Sequence, residues 1–202
     1  MPYSAFTTIS QLKKAFGLTT VEGDRFIPLD LAPIVPDPIL TGFLNKTRTL
    51  ATATGSEKAR SELLVAPLLV EVRELLNREV SLFSGEEFTV DVSLGLNGIC
   101  DFLISRSPEL YAIESPLIVL VEAKKADLKV GVPQCIAEMV AAARFNAENN
   151  VDINTVYGCV TSGTLWRFLK LEGTVVTIDL ADYPLEPIDR LLAMLLWMVK
   201  EG

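Results

Sequence analysis

The sequence predicts an α/β fold, a central mixed β-sheet flanked by helices, on three observations. Apolar residues recur at helical spacing after Ser56, short apolar and alternating runs follow from Val80, and a second helical stretch separates these from further strand-like runs. The chain can bury a core: half of its 202 residues are hydrophobic and its mean hydropathy is +0.36. A domain of this length is ordinary.

Residues 1–55 read as a peripheral N-terminal segment packing on a domain formed by residues 56–202. Ser10 to Phe16 suits a short helix, with Gly17 at its end. Ile27 to Pro38 carries Pro28, Pro33, Pro36 and Pro38, which predicts an extended loop. Ser56 opens a long helix with Glu57 in its first turn. Leu64, Leu68, Val72 and Leu75 form its apolar stripe, widened by Leu63, Leu69 and Leu76, and Pro67 predicts a kink. Val80–Phe83, Phe88–Val92, Ile99–Ile104 and Leu117–Val121 read as strands. Gly85 and Asn97-Gly98 mark turns or bends between the first three, which predicts an antiparallel meander. Val132 to Glu148 reads as a helix with Ile136, Met139, Val140 and Ala143 on one face. Strands follow at Thr155–Thr161, Leu165–Leu171 and Thr174–Leu180, and Pro187 begins an apolar last helix reaching Gly202.

Composition removes several chemistries. The chain has no histidine, which excludes serine–histidine and cysteine–histidine catalysis and any histidine-held zinc. Cys100, Cys135 and Cys159 lie far apart in apolar stretches and read as buried free thiols of a reducing compartment. The N-terminus lacks the basic start and apolar core of a secretory signal. The apolar run Leu191–Val199 is nine residues, against the roughly 20 that span a bilayer. A cytoplasmic chain without membrane spans is expected. A net charge of -8, with a pI near 4.7, argues against gripping long nucleic acid by the overall field. A local basic strip, or a protein partner, would have to supply DNA affinity.

The chemistry concentrates after the strand Leu117–Val121. Five consecutive aliphatics predict a central strand buried on both faces, and Glu122 and Lys124, two apart, point to the same side of it. Charged groups there are costly unless paired or coordinating something. Asp101 lies in a neighbouring apolar strand, so strand pairing can bring it beside Glu122. Two carboxylates together favour a cation between them, and hard oxygen ligands suit Mg2+ or Mn2+. Lys124 beside that metal lowers the cost of forming hydroxide from bound water. Taken singly, each of these residues is more often part of a structural ion pair; the three together, on strands this apolar, tip the balance to a metal site. Glu62 shares a helix face with Val65 and Leu69, which would turn it toward the sheet, and Glu57 suits the helix dipole, although each taken alone is more often solvated than functional. Lys124, Lys125 and Lys129 form a small basic cluster that suits a phosphate or a solvated strand end. Tyr157, Trp166 and Phe168 suit base stacking, or more readily the core. Gly158 and Gly163 read as strand and turn glycines.

Asp101, Glu122-x-Lys124, an upstream helix-borne glutamate and Gln134 in the next helix form an ordered series that resembles the PD-(D/E)XK nuclease superfamily. Ser56–Leu69 looks like the opening helix of the N-terminal nuclease domain of type I restriction enzyme motor subunits, and Tyr157–Phe168 is similar to a segment following the active site there. The resemblance covers roughly residues 56–171. It implies a restriction-endonuclease-like sandwich that hydrolyses DNA phosphodiesters with Mg2+ or Mn2+. Asp101 and Glu122 would bind the metal, aided by the Ala123 carbonyl. Lys124 would orient or activate the attacking water, Glu62 would complete the site from the helix, and Gln134 would hydrogen-bond near it. Cys100 stands where the superfamily's name puts proline. The alternative carried with it is a catalytically silent nuclease-fold binding or assembly module, and the apolar Leu191–Val199 raises a homodimer as a further expectation.

Overall fold

In the computed structural model, which describes residues 2–23, 25–124 and 127–201, the apolar runs pair into one mixed sheet. Its strands are β1 (Thr19–Gly23), β2 (Ser81–Asp91), β3 (Leu96–Ser105), β4 (Leu117–Ala123), β5 (Thr155–Thr161), β6 (Leu165–Glu172), β7 (Val175–Asp179) and β8 (Tyr183–Pro184). They run in the order β1-β7-β6-β5-β4-β3-β2, with β8 against β6. Two pairs are parallel, β4 with β5 and β1 with β7. The β4–β5 pair needs a crossover, which α5 (Leu128–Glu148) supplies.

Helices cover both faces. On one side, α2 (Pro38–Ala53), α4 (Ala66–Leu75) and α6 (Ile188–Glu201) enclose a core with Phe102, Val119, Tyr157, Trp166 and Phe168. On the other, α1 (Ile9–Phe16) and α5 pack over Leu103, Val160, Leu169 and Ile178. Among the described residues no helix is long and apolar enough to cross a membrane.

The described N-terminal residues, expected to pack on the domain, add a strand to the edge of its sheet and a helix to one of its faces. β1 is an edge strand, the Tyr3 hydroxyl donates to the Phe88 carbonyl at 2.8 Å, and Leu40, Leu44 and Ala51 bury one face of α2. The expected meander is a single long hairpin. Gly85 bends β2 without ending it, and the turn falls at Val92–Leu94, where the Asp91 carboxylate accepts from Ser93 and Leu94 N–H and Gly95 takes φ 79°. α5 begins four residues before Val132, because Asp127 caps it by accepting the Lys129 N–H, and Pro133 sits inside its N-terminal part. The apolar run in α6 packs into the chain's own core, with Leu191, Leu192, Leu195, Met198 and Val199 buried.

The long helix starts at Ser56, whose hydroxyl accepts the Ala59 N–H at 3.2 Å. Its course after α3 (Glu57–Arg60) widens into a π turn over Ser61–Val65 before α4 resumes. Pro67 explains the disturbance: it has no N–H for the Leu63 carbonyl four residues back. The Thr47 hydroxyl from α2 lies 3.1 Å from that carbonyl instead.

Candidate functional site

The site forms at the carboxyl end of β4, beside the end of its parallel neighbour β5, the position where open α/β sheets commonly bind ligands. Leu117, Ile118, Val119 and Val121 are buried. The backbone stays tied to β5 as far as Lys124, whose N–H donates to the Thr161 carbonyl at 2.7 Å. On the other side the β3–β4 ladder runs only to the Phe102–Val121 pair. Past that point Asp101 takes over: its Oδ2 accepts the Ala123 N–H at 2.7 Å. Across β3, Gly85 falls opposite Asp101, between the Ser84–Phe102 and Glu86–Cys100 pairs, with φ 69°. Only glycine adopts that backbone readily, so the bend in β2 next to Asp101 is set by residue type.

Glu122 is the hub. Lys124 Nζ donates to its Oε1 in a close contact, and Gln134 Nε2 donates to its Oε2 at 3.0 Å. The same Gln134 amide nitrogen lies 3.1 Å from Glu138 Oε1, one helical turn further along α5. Glu122 is 1% exposed and Glu138 is fully buried, with Glu138 Oε2 lacking any hydrogen-bond partner among the described residues. The approach of α5 depends on Gly131: a Cβ there would stand 2.7 Å from Val160 Cγ1 and 2.9 Å from Lys124 Cγ.

Burial dominates the electrostatics. It pushes Glu122 up to about 7 from 4.5, and the Asp101 charge adds to the rise, with Lys124 opposing it. Burial and then the Glu122 charge raise Glu138 well above the carboxylate range. Asp101 is raised by burial, with the Ala123 N–H and Lys124 pulling the other way. For Lys124 burial works against the charged form, yet the neighbouring Glu122 outweighs it and the ammonium is held above its ordinary value. Cys100, Cys135 and Cys159 are free, buried thiols raised by burial.

Asp101, Glu122, Ala123, Lys124 and Gln134 are thus brought together. Glu62 is not. Its side chain is 60% exposed and pairs with Lys58 at 3.4 Å, while Val65 and Leu69 are fully buried. The π turn is the physical reason: one extra residue per turn rotates what precedes it by about 100° relative to a continuous α-helix, so Glu62 leaves the face of Val65 and Leu69. Glu57 is exposed and makes no hydrogen bond with the site residues among those described; its charge raises both Asp101 and Lys124. Glu138 is the acidic residue that pattern reading missed. Glu138 had left a signal, a carboxylate inside the otherwise apolar run Cys135–Ala142. Lys125, expected in a basic cluster, lies outside the described residues, and Lys129 is exposed on the first turn of α5. Tyr157, Trp166 and Phe168 are core residues and none is presented for base stacking.

Among the described residues no three histidine, cysteine, aspartate or glutamate side chains converge closely enough to hold a metal by themselves. A divalent ion would therefore rest on two carboxylates and a main-chain carbonyl. The donor chemistry fits such an ion. The Asp101 charge raises the cost of ionising Glu122, all the donors are hard oxygens, and Asp101 Oδ1 accepts no hydrogen bond among the described residues. Neither a protein-family model nor a curated protein matches this chain.

Proposed function

We propose that the protein is a divalent-metal-dependent nuclease that hydrolyses DNA phosphodiester bonds. On this reading the mixed sheet and its flanking helices are a restriction-endonuclease-like sandwich. The observation that carries it is the meeting of Asp101, Glu122 and Lys124 where β3 and β4 part, the same residues in the same order as the PD-(D/E)XK series. Asp101, Glu122 and the Ala123 carbonyl would hold Mg2+ or Mn2+. When bound, such an ion supplies charge to a phosphoryl oxygen and makes water a better nucleophile. Lys124 Nζ orients the attacking water and offers positive charge to the phosphate. Gln134 fixes Glu122 by holding Oε2, and α5 keeps bulk water from the buried side of the carboxylate.

Purified protein should nick supercoiled plasmid in the presence of Mg2+ or Mn2+. Lys124→Ala should reduce that at least about 100-fold, the usual worth of a positioned proton-transfer group, with an unchanged circular dichroism spectrum. Full activity in Lys124→Ala or Glu122→Ala would sink the assignment. The net charge of -8 favours a second reading, a nuclease-fold module that binds or assembles without cutting. Calorimetry separates the two: an intact fold that takes up no Mg2+ points to the module.

A further inference from the structure

Three of the exposed apolar side chains, Ile39, Phe43 and Val70, meet in one groove. Between α2 and the helix running from the π turn through α4 lies an open groove of about 580 Å3. Its apolar lining includes Ile39, Phe43, Pro67 and Val70, of which Ile39 is 81%, Val70 49% and Phe43 40% exposed. Val35, 85% exposed, lies just before α2 in the sequence. Apolar surface concentrated this way and rimmed by polar groups marks an interaction site more often than chance exposure.

The rim carries one sign of charge. Asp37, Glu62, Glu71 and Glu74 line the groove, and no lysine or arginine is among its described lining residues. Asp37 and Glu71 are engaged only with backbone among the described residues: Asp37 Oδ1 accepts the Ile39 N–H at 2.6 Å and Glu71 Oε1 the Asp37 N–H at 2.8 Å. Glu62 has a basic neighbour in Lys58 and Glu74 has two, Arg78 and the less exposed Arg73 at 3.6 Å; the Lys58 and Arg78 pairs are exposed, of small worth, and open to replacement by a partner's cations. The wall from Glu62 to Glu74 extends about 18 Å at 1.5 Å per residue, room for a partner helix of about three turns. Two helices forming a trough with an apolar floor is the geometry that accepts an amphipathic helix.

We infer that this groove docks a basic amphipathic helix from a protein partner, its apolar stripe over Ile39, Phe43 and Val70 and its lysines or arginines against the acidic rim. The inference does not depend on the nuclease reading. It does bear on the chain's net charge of -8, since a basic partner held here would add cationic surface.

A displayed library of 14-residue helices tests it, with the apolar stripe fixed and the flanking positions randomised, selected against the full chain. Selected helices should be enriched in lysine and arginine at the flanks. They should bind at least tenfold more weakly to Ile39→Ser, and to Glu62→Lys combined with Glu74→Lys, all at exposed positions whose folding is checked by circular dichroism. Elevated salt should weaken them further. The inference is overturned by flanks without charge preference or enriched in acidic residues, by binders indifferent to the groove substitutions, or by no binders at all. Sedimentation showing a dimer of the chain that Ile39→Ser abolishes would also overturn it, assigning the groove to a second copy.

Discussion

Replacing Glu122 with glutamine should make the metal-free protein more stable in mild base, and Mg2+ should close the gap. Burial and Asp101 lift Glu122 from 4.5 to about 7, so the native protein holds this proton more tightly than the unfolded chain does. Below pH 4.5 the carboxyl is neutral in both states and costs nothing. Between 4.5 and 7 the unfolded chain releases the proton first and native stability falls; above 7 the full cost is present. The gap corresponds to about 3 kcal/mol. Glu122→Gln keeps the shape and an acceptor while removing the titration. At about pH 8 in chelator it should therefore melt roughly 6–12 °C above the wild type, and near pH 4.5 the two should coincide. A bound divalent ion stabilises only the native wild type, by about 2.7 kcal/mol at a hundredfold excess over its dissociation constant, and should bring the wild type level with the variant. Calorimetric melts at the two pH values, in chelator and in Mg2+, read all of this. A variant less stable than the wild type in chelator at pH 8 would mean that Glu122 is a favourable ion-pair partner of Lys124 and not a carboxylate waiting for a cation.

Two further substitutions separate positioning from packing. Gly131→Ala and Gly158→Ala each drive a Cβ into occupied space, at 2.7 Å from Val160 and 2.4 Å from Met139 respectively, and overpacking of this kind costs about 1–3 kcal/mol. Only Gly131→Ala also pushes on Lys124, so thermal melts should place the two variants near each other while plasmid nicking falls further in Gly131→Ala. On the helix, Glu57→Gln should weaken Mn2+ binding by calorimetry several-fold, whereas Glu62→Gln should leave it unchanged. The reverse order would return Glu62 to the site.

The centre of the fold was legible because its signals are local. Five aliphatics followed by Glu122-Ala123-Lys124 specify a buried strand with charges on one side, and the structure supplies that strand with Asp101 hydrogen-bonded to it. What was illegible depends on distant partners. β1, Thr-Thr-Val-Glu-Gly, alternates weakly because it is a half-exposed edge whose pairing comes from β7 near the other end of the chain. α2 was hidden by Thr41, Gly42, Thr47, Thr49 and Thr52, poor helix formers that its packing on the π turn and α4 overrides. Glu62 was misplaced because a uniform 3.6-residue period was carried through Pro67, where the helix does not keep it. Glu138 was overlooked since a buried acid looks like an exception in a stripe until Gln134 is seen beside it.

The way the sheet is threaded also decides which parts of the molecule the site can survive losing. Its hydrogen bonds close short segments of chain, 22 residues from Asp101 to Ala123 and 12 from Glu122 to Gln134. The far edge, by contrast, joins Thr19 to Val175 and closes a loop spanning most of the sequence. Loop closure costs grow with length, and edges held by the longest loops are the first to fray. β7, β6 and β5 stand between β1 and β4, so fraying of that edge dissipates before it reaches Glu122. The carboxylate cluster therefore belongs to the locally closed β3–β4–α5 unit, and the strand contributed by the N-terminal segment guards the sheet's margin and not its chemistry.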